Sequence, residues 1–356
     1  GYKYMSNKPP IEVPQGAIRL NTDSQKLEFF AQDRWYEMAT DVPDLGGNGG
    51  PSGAPTGNSA DQAAGSRGLT SGFYNPSTSA ATSEIDYITI ETQGNAIDFG
   101  DLIAITHDGG ALASRTRYCH TGGSRNGSNT VEIDFVTISS TGDAQDFGDL
   151  TSNLYQGTAC GNQTRGIVYV DAGAPSGDHF CDFITIASTG NGIRFGEIFG
   201  QNGARQNCGS VASPTRMIIG GGGFPNVLSG MDYCTITTQG DFQDFGDLTV
   251  ASRSQSGAHN STRGIFTGGG PPSAINVMEY VQIATLGNAT NYGDLAASDG
   301  GGRMASMSSR TRGVLTTGTN VLSMCSLITA GDTVDFGDAV NSRSSQRGSS
   351  NAHGGL

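Results

Sequence analysis

Of the 356 residues, 55 are glycine and only 15% are charged, about twice the ordinary glycine share and well below the usual ~25% charge. The net charge of −13 disfavours binding to phosphate backbones, so no nucleic-acid partner is expected. There is no Gly-X-Y period, no block of like charge and no apolar run near ~18 residues, which excludes collagen, an acidic disordered tail and a membrane-inserted helix.

The first residues, GYKYMSNKPP, lack the apolar core of a secretory signal. Residues 1–40 hold all three lysines (Lys3, Lys8, Lys26) and the only tryptophan, Trp35. Within them GAIRLNTDSQKLEFFAQDRWYEM (16–38) reads as two or three strands, broken at Asn21-Thr22-Asp23 and Gln32-Asp33. A piece of about 40 residues can hardly bury a core alone, so it should need a partner or copies of itself. Residues 41–65 are rich in Gly, Pro, Ser and Asn without an apolar period, the composition of a flexible linker.

From residue 66 onward the chain repeats at a period of about 48 residues. Six gap-free blocks begin at Ile85, Ile133, Cys181, Met231, Met278 and Leu322, the first reading IDYITIETQGNAIDFGDL. Each carries Phe-Gly-Asp or a variant, at Phe99/Asp101, Phe147/Asp149, Phe195, Phe245/Asp247, Tyr292/Asp294 and Phe336/Asp338. A second element, usually Thr-Arg, precedes each block and supplies Arg67, Arg117, Arg165, Arg216, Arg263 and Arg312. Each unit reads as four strands: the run after the Arg, the Asp-Tyr-Ile-Thr-Ile type, the Asp-Phe-Gly-Asp-Leu segment, and a variable Ser/Gly/Ala stretch. Four strands in ~40–50 residues make a propeller blade. The fold class is therefore all-β: a six-bladed β-propeller over 66–356, with blades near 66–114, 115–163, 164–213, 214–260, 261–309 and 310–356. Glycine runs such as Gly220-Gly221-Gly222-Gly223 suit the crowded inner strands. In this order the chain starts at a first strand and ends after a fourth, at Ser349-Ser350-Asn351, so closure is expected from packing between the first and last blades.

The repeated residues read as scaffold. Asp-Phe-Gly at 98–100, 146–148, 244–246 and 335–337 lacks the companions of a kinase site and reads as a structural turn. The acid pairs beginning at Asp98, Asp146, Asp244 and Asp335 would hold Ca²⁺ only if they converged, and no multi-Asp calcium loop is present. Turn capping, or pairing with the repeated Arg, is the preferred role. The Arg series is expected to meet repeat Asp or strand carbonyls; a positively lined receptor pocket is the alternative. The six cysteines form no CxxC pair, and Cys234 and Cys325 stand where other blocks have Ile or Val, so all read as buried free thiols. The five histidines share no repeat position and no nucleophile elbow occurs. No catalytic residue, metal or cofactor is assigned. Tyr118, Tyr155, Tyr169 and Phe224 fall in variable stretches, where packing or sugar stacking would use them.

Two resemblances arise from these residues. The segment Gly16–Asp23 with Lys26–Phe30 and Trp35-Tyr36 resembles a small β-module of tail-fibre and other virion proteins of tailed bacteriophages. The repeated block with its Thr-Arg-Gly element is similar to kelch-like repeats in structural proteins of marine phages, cyanophages included, although the tryptophan of cellular kelch repeats is missing. The resemblance implies a virion component and leaves its place in the particle open; the leading expectation is a non-enzymatic protein of the outer particle surface. Residues 1–40 would dock to other virion proteins through Ile18, Leu20, Leu27, Phe29 and Trp35, and the propeller, in multiple copies, would attach to a host receptor or glycan. A head or tail decoration with the propeller as spacer, or a glycan hydrolase with paired carboxylates at one mouth, are the other readings.

Overall fold

The computed structural model describes residues 17–21, 26–31, 34–37, 66–171, 179–198, 205–223, 226–270, 274–296 and 304–356. Every helix or strand element among them is a strand. Contacts divide the chain into two units, Gly1–Gly57 and Asn58–Leu356.

In the first unit, Ile18–Asn21, Lys26–Ala31 and Arg34–Glu37 form an antiparallel three-stranded sheet. The register sets Ile18 opposite Phe29, Leu20 opposite Leu27 and Phe30 opposite Trp35. Ile18 is 63% exposed, and the Phe30 and Trp35 rings meet edge to face at 5.3 Å. The linker expected at 41–65 lies outside the described residues.

The second unit is a six-bladed β-propeller. From the axis outward, blade 1 is Arg347–Ser350, Arg67–Ser71, Glu84–Thr89 and Ile97–Asp101; blade 2 is Gly110–Ala113, Arg117–Arg125, Ser128–Thr137 and Gln145–Leu154. Blade 3 is Thr158–Gly161, Arg165–Asp171, His179–Thr185 and Ile193–Glu197; blade 4 is Gly209–Ala212, Arg216–Gly220, Gly230–Thr235 and Gln243–Asp247. Blade 5 is Ser256–His259, Arg263–Thr267, Val277–Gln282 and Thr290–Asp294; blade 6 is Ser306–Ser308, Arg312–Thr316, Val321–Ser326 and Val334–Asp338. The innermost strands each touch those of both neighbouring blades. Only small residues allow that approach, which is why these strands read Gly-Ala-Leu-Ala, Thr-Ala-Cys-Gly or Gly-Ser-Val-Ala.

Two expectations are corrected here. The Ser/Gly/Ala stretch is the first strand of the sheet that follows it, so the Arg-bearing run is second from the axis. Closure is consequently by a shared blade: Arg347–Ser350 pairs antiparallel with Arg67–Ser71, with Ser350 opposite Gly68. Residues Arg67 and Asn351 even complete one turn between them. Asn351 Oδ1 accepts from the Arg67 backbone N–H at 2.9 Å, as Asn162 Oδ1 does from Arg165 within a continuous segment. The glycine run also sits elsewhere than expected. Gly220 ends a second strand, and Gly221–Gly223, at φ +64°, +82° and +132°, belong to the following loop.

The apolar core is divided into six clusters, each between consecutive blades. Leu112, Ile133 and Phe147 of blade 2, for example, pack on Val168, Val170 and Ile184 of blade 3. A hydrogen-bonded seam accompanies each cluster. In blade 2 the Phe147 carbonyl accepts from Gly190 N at 2.7 Å and the Asp149 carbonyl from Gly192 N at 2.7 Å. The Asp149 N–H in turn donates to Asn191 Oδ1 at 3.1 Å. The same three bonds recur around the ring, ending with blade 6 on blade 1 through Gly94, Asn95 and Ala96. Phe-Gly-Asp is thus the outer strand, not a turn, and its free edge is covered by the next blade.

The seam explains the central glycine of that triplet. A Cβ on Gly148 (φ +139°) would lie 2.6 Å from the Gly190 carbonyl oxygen, whereas a Cβ on Gly190 would meet nothing within 4 Å. Gly148→Ala should therefore destabilise the ring by about 1–3 kcal/mol more than Gly190→Ala, the usual range for overpacking. Urea unfolding of the two variants measures the difference.

Candidate functional site

The repeated arginines form a second cyclic set. Arg67 Nη1 donates to the Ile138 carbonyl at 2.8 Å, Arg117 to Ile186 at 3.0 Å and Arg165 to Ile236 at 2.9 Å. Arg216 reaches Ala284 at 2.8 Å, Arg263 reaches Ile328, and Arg312 closes the circle on Glu91 at 2.9 Å. Each guanidinium thus bridges to the next blade, and the partners are carbonyls, not repeat carboxylates. Five of the six also lie over an aromatic ring of their own blade, as Arg165 does over Phe183 at 4.4 Å. Phe183 in turn stands edge to face with Phe195. Arg, aromatic and Phe-Gly-Asp therefore form one stack per blade; in blade 6 the aromatic position is Met324. The repeat acids remain at the rim: Asp101 accepts from Ser83 Oγ at 2.8 Å and Asp247 from Ser229 Oγ at 3.2 Å. Among the described residues no group of three or more His, Cys, Asp or Glu side chains gathers as a metal site would.

A buried acid in the third strand of five blades escaped the sequence reading: Asp86, Asp134, Asp182, Asp232 and Glu279, with Ser323 in the sixth. Each holds the chain that leaves the previous blade's outer strand. Asp182 Oδ2 accepts from Thr151 N at 2.7 Å, Asp134 Oδ2 from Ile103 N at 3.1 Å, and Glu279 Oε2 from Thr249 N at 3.1 Å. Asp232 pairs with Arg205 at 2.8 Å, and Asp86 with Arg343, whose guanidinium also lies over Phe73. Burial raises the carboxyls of Asp86, Asp134 and Asp232 above the ordinary range despite their arginines. The signal was visible as the acid after the first apolar residue of five of the six blocks. Its burial was not, because strand alternation alone does not say which acids face inward.

These anchors separate two faces. On one, the turns from first to second strand are three residues long (114–116, 162–164, 213–215, 260–262, 309–311), and those from third to fourth are seven (90–96, 138–144, 186–192, 236–242, 283–289, 327–333). On the other, the segments between second and third strands run from 126–127 to 72–83, and those entering the next blade from 155–157 to 198–208. All loop variation is on this second face.

The axis offers little room. A cavity of about 50 Å³ lies among Thr158, Ser210, Ser256, His259, Ser306 and Arg347, space for a few waters. Below it residues 351–356 fill the uniform end. His353 Nε2 donates to the Ala113 carbonyl at 2.7 Å while its Nδ1 accepts from Gly355 N at 3.0 Å. The His259 ring stands 5.2 Å from that of His353; its Nδ1 donates to the Ala212 carbonyl at 2.7 Å. His259 Nε2 then accepts from Cys160 Sγ at 3.4 Å. Burial pushes the Cys160 thiol up to about 12 and the His259 imidazole down to about 3. The pair is a neutral thiol–imidazole hydrogen bond without the thiolate a nucleophile requires. All six cysteines are free and buried. Of the aromatics in variable stretches, Tyr118 and Tyr169 are buried, Tyr155 is partly buried, and Phe224 lies outside the described residues.

No protein-family model matches this sequence, and no curated protein is significantly similar to it.

The buried imidazoles give the ring an acid limit. Burial lowers His120 and His259 to about 3 and His353 to about 4, from 6.5. The unfolded chain therefore takes up protons that the folded one refuses, and stability is lost as pH falls from 6.5 towards 4. The raised buried carboxyls act in the opposite sense, so a variant comparison isolates the histidine part. His353→Gln should lower the slope of stability against pH by up to about 1.4 kcal/mol per pH unit between 6 and 4.5, read from urea midpoints at each pH.

Proposed function

We propose that the chain is a non-enzymatic structural protein of a tailed-phage particle, with a kelch-like propeller displayed on the outer virion surface for attachment to a host cell. In this reading residues 1–40 dock to other virion proteins. The observation that carries the attachment role is the division of the ring into a face of fixed turns and a face of variable loops. The described chain enters the ring at Ser66, beside the fixed turns, and the variable loops stand on the other face. Binding residues concentrate on such loops when a rigid scaffold positions them, and several weak copies on one particle would add through avidity. The closed ring is suited to that task because its loops can change without loss of a seam.

The purified full chain should bind cells of a marine bacterial and cyanobacterial panel and slow adsorption of the phage that carries it by about tenfold or more, a change worth ~1.4 kcal/mol in apparent affinity. Substitutions of variable-face loop residues should remove both effects, and substitutions in the seven-residue turns should leave them. A chain that neither binds cells nor competes is not an attachment protein, and the propeller would then be a spacer or decoration.

A further inference from the structure

We propose that Asn126, at the tip of the long hairpin of blade 2, is a site of self-modification: its side-chain amide is lost to attack by the backbone nitrogen of Gly127, leaving an aspartyl or isoaspartyl residue on the variable face. The proposal stands on local geometry and does not depend on the attachment reading. Blade 2 is the exception in the ring. Its second and third strands have 9 and 10 residues, against 5 and 6 in blade 5. Two Asn-Gly pairs occur among the described residues, at 126–127 and 191–192, and their surroundings are opposite. Asn126 and Gly127 are both exposed and form a two-residue turn at φ +50° and +84°, the pairing that suits such a hairpin. The Asn126 N–H donates to the Ile105 carbonyl at 2.9 Å, whereas the Gly127 N–H has no partner among the described residues. A Cβ placed on Gly127 would meet nothing within 4 Å, so the nitrogen is unshielded. At the second pair, Asn191 Oδ1 accepts from the Asp149 N–H at 3.1 Å and the Gly192 N–H donates to the Asp149 carbonyl at 2.7 Å.

The chemistry needs only water. The Gly127 nitrogen gives up its proton to solvent and bonds to the Asn126 side-chain carbon Cγ, closing a five-membered ring. The amide nitrogen of Asn126 takes a proton and leaves as ammonia. Water then opens the cyclic imide at either carbonyl: breaking the new bond to Cγ gives the aspartyl form, and breaking the original peptide bond gives the isoaspartyl form. Bringing the Gly127 nitrogen onto Cγ requires rotation within the turn, and only the terminal Arg125–Ser128 pair of the ladder has to open for it, a local fraying. At Asn191 the same rotation would break both bonds to Asp149 in the seam between blades 2 and 3. The products alter the tip in two ways. The isoaspartyl form carries the main chain through one extra methylene, which the register of Arg125 opposite Ser128 does not fit. Either form adds a negative charge next to Arg125, which already faces Glu132 and Asp134 at 2.6 Å each, so the new charge meets like charges.

The test is a time course of the folded full chain in warm, mildly alkaline buffer, followed by chymotrypsin. Cleavage after Tyr118, Phe135, Phe183 and Phe195 isolates residues 119–135 and 184–195, in which tandem mass spectrometry locates the amide-to-acid mass gain and isoaspartyl methyltransferase labels the isoaspartyl form. Residue 126 should convert about tenfold faster than residue 191 or more, with isoaspartyl among its products. In unfolding urea the two rates should converge, because the dipeptide is the same and only the fold separates them. Asn126→Gly, which a φ of +50° tolerates, should abolish the gain in fragment 119–135 and leave the urea midpoint of the fresh protein unchanged. Equal folded-state rates at 126 and 191 overturn the proposal. So does a folded chain that keeps Asn126 intact while the unfolded chain converts, or a gain at Asn129 in place of Asn126. Conversion without any isoaspartyl product also overturns it, since direct hydrolysis of the amide makes the aspartyl form alone.

Discussion

The ring depends on how each blade disposes of its outer edge. A four-stranded antiparallel sheet ends in a row of unpaired backbone groups, and six such edges would invite association with other chains. Here the edge of one blade is taken up by the Gly-Asx turn of the next. Phe147 and Asp149 give their carbonyls to Gly190 and Gly192, and the Asp149 N–H goes to Asn191. Because the bonds run cyclically from each blade to its successor, no blade is complete alone. The divided core says the same: with apolar clusters only between blades, burial is gained at interfaces, as in repeat architectures where neighbours supply the missing face. The Arg stacks reinforce the same interfaces, so one turn region carries the seam and the guanidinium bridge together.

Ring closure follows from this dependence. A first and a last blade that merely touched would leave one interface without covalent continuity at either side. Pairing Arg347–Ser350 with Arg67–Ser71 places both ends of the propeller chain in one sheet, and opening the ring then requires breaking that ladder as well as a seam. Asn351 extends the arrangement by capping Arg67 as its counterparts cap their own turns. The first and last strands of the ring are therefore bound by the same local chemistry as the interior of the repeat.

Much of this was legible in the sequence, because seams and stacks need particular residues at fixed positions. Phe-Gly-Asp, Thr-Arg and the aromatic of the third strand recur for that reason, and the six blades follow from them. What stayed hidden has identifiable causes. Innermost strands share only smallness, as Gly209–Ala212 and Ser256–His259 show, so they carry no motif and were attached to the wrong neighbour. The Arg partners are backbone carbonyls, which have no sequence signature, and the repeated acids next to Phe-Gly drew the pairing away from them. Asp134 and Asp182 stand in plain view in every alignment of the blocks. Their burial depends on loops from the preceding blade, and no periodicity within one blade reveals that.

The two faces differ because only one of them bears the seams. A seven-residue turn such as 186–192 must deliver a glycine, an Asx side chain and a further N–H to the neighbouring strand while its first residue, Ile186, receives an arginine. An inserted residue there would break several bonds in two blades at once. On the opposite face the constraint ends early: a buried acid holds the residue two positions past the Phe-Gly-Asp aspartate, as Asp182 holds Thr151 and Asp134 holds Ile103, and the segment beyond it varies in length before the next inner strand begins. The hairpin of blade 2 extends on this same face, where its tip is met by the entering segment: Asn126 N–H donates to the Ile105 carbonyl at 2.9 Å. Change therefore accumulates on the face where it does not threaten closure.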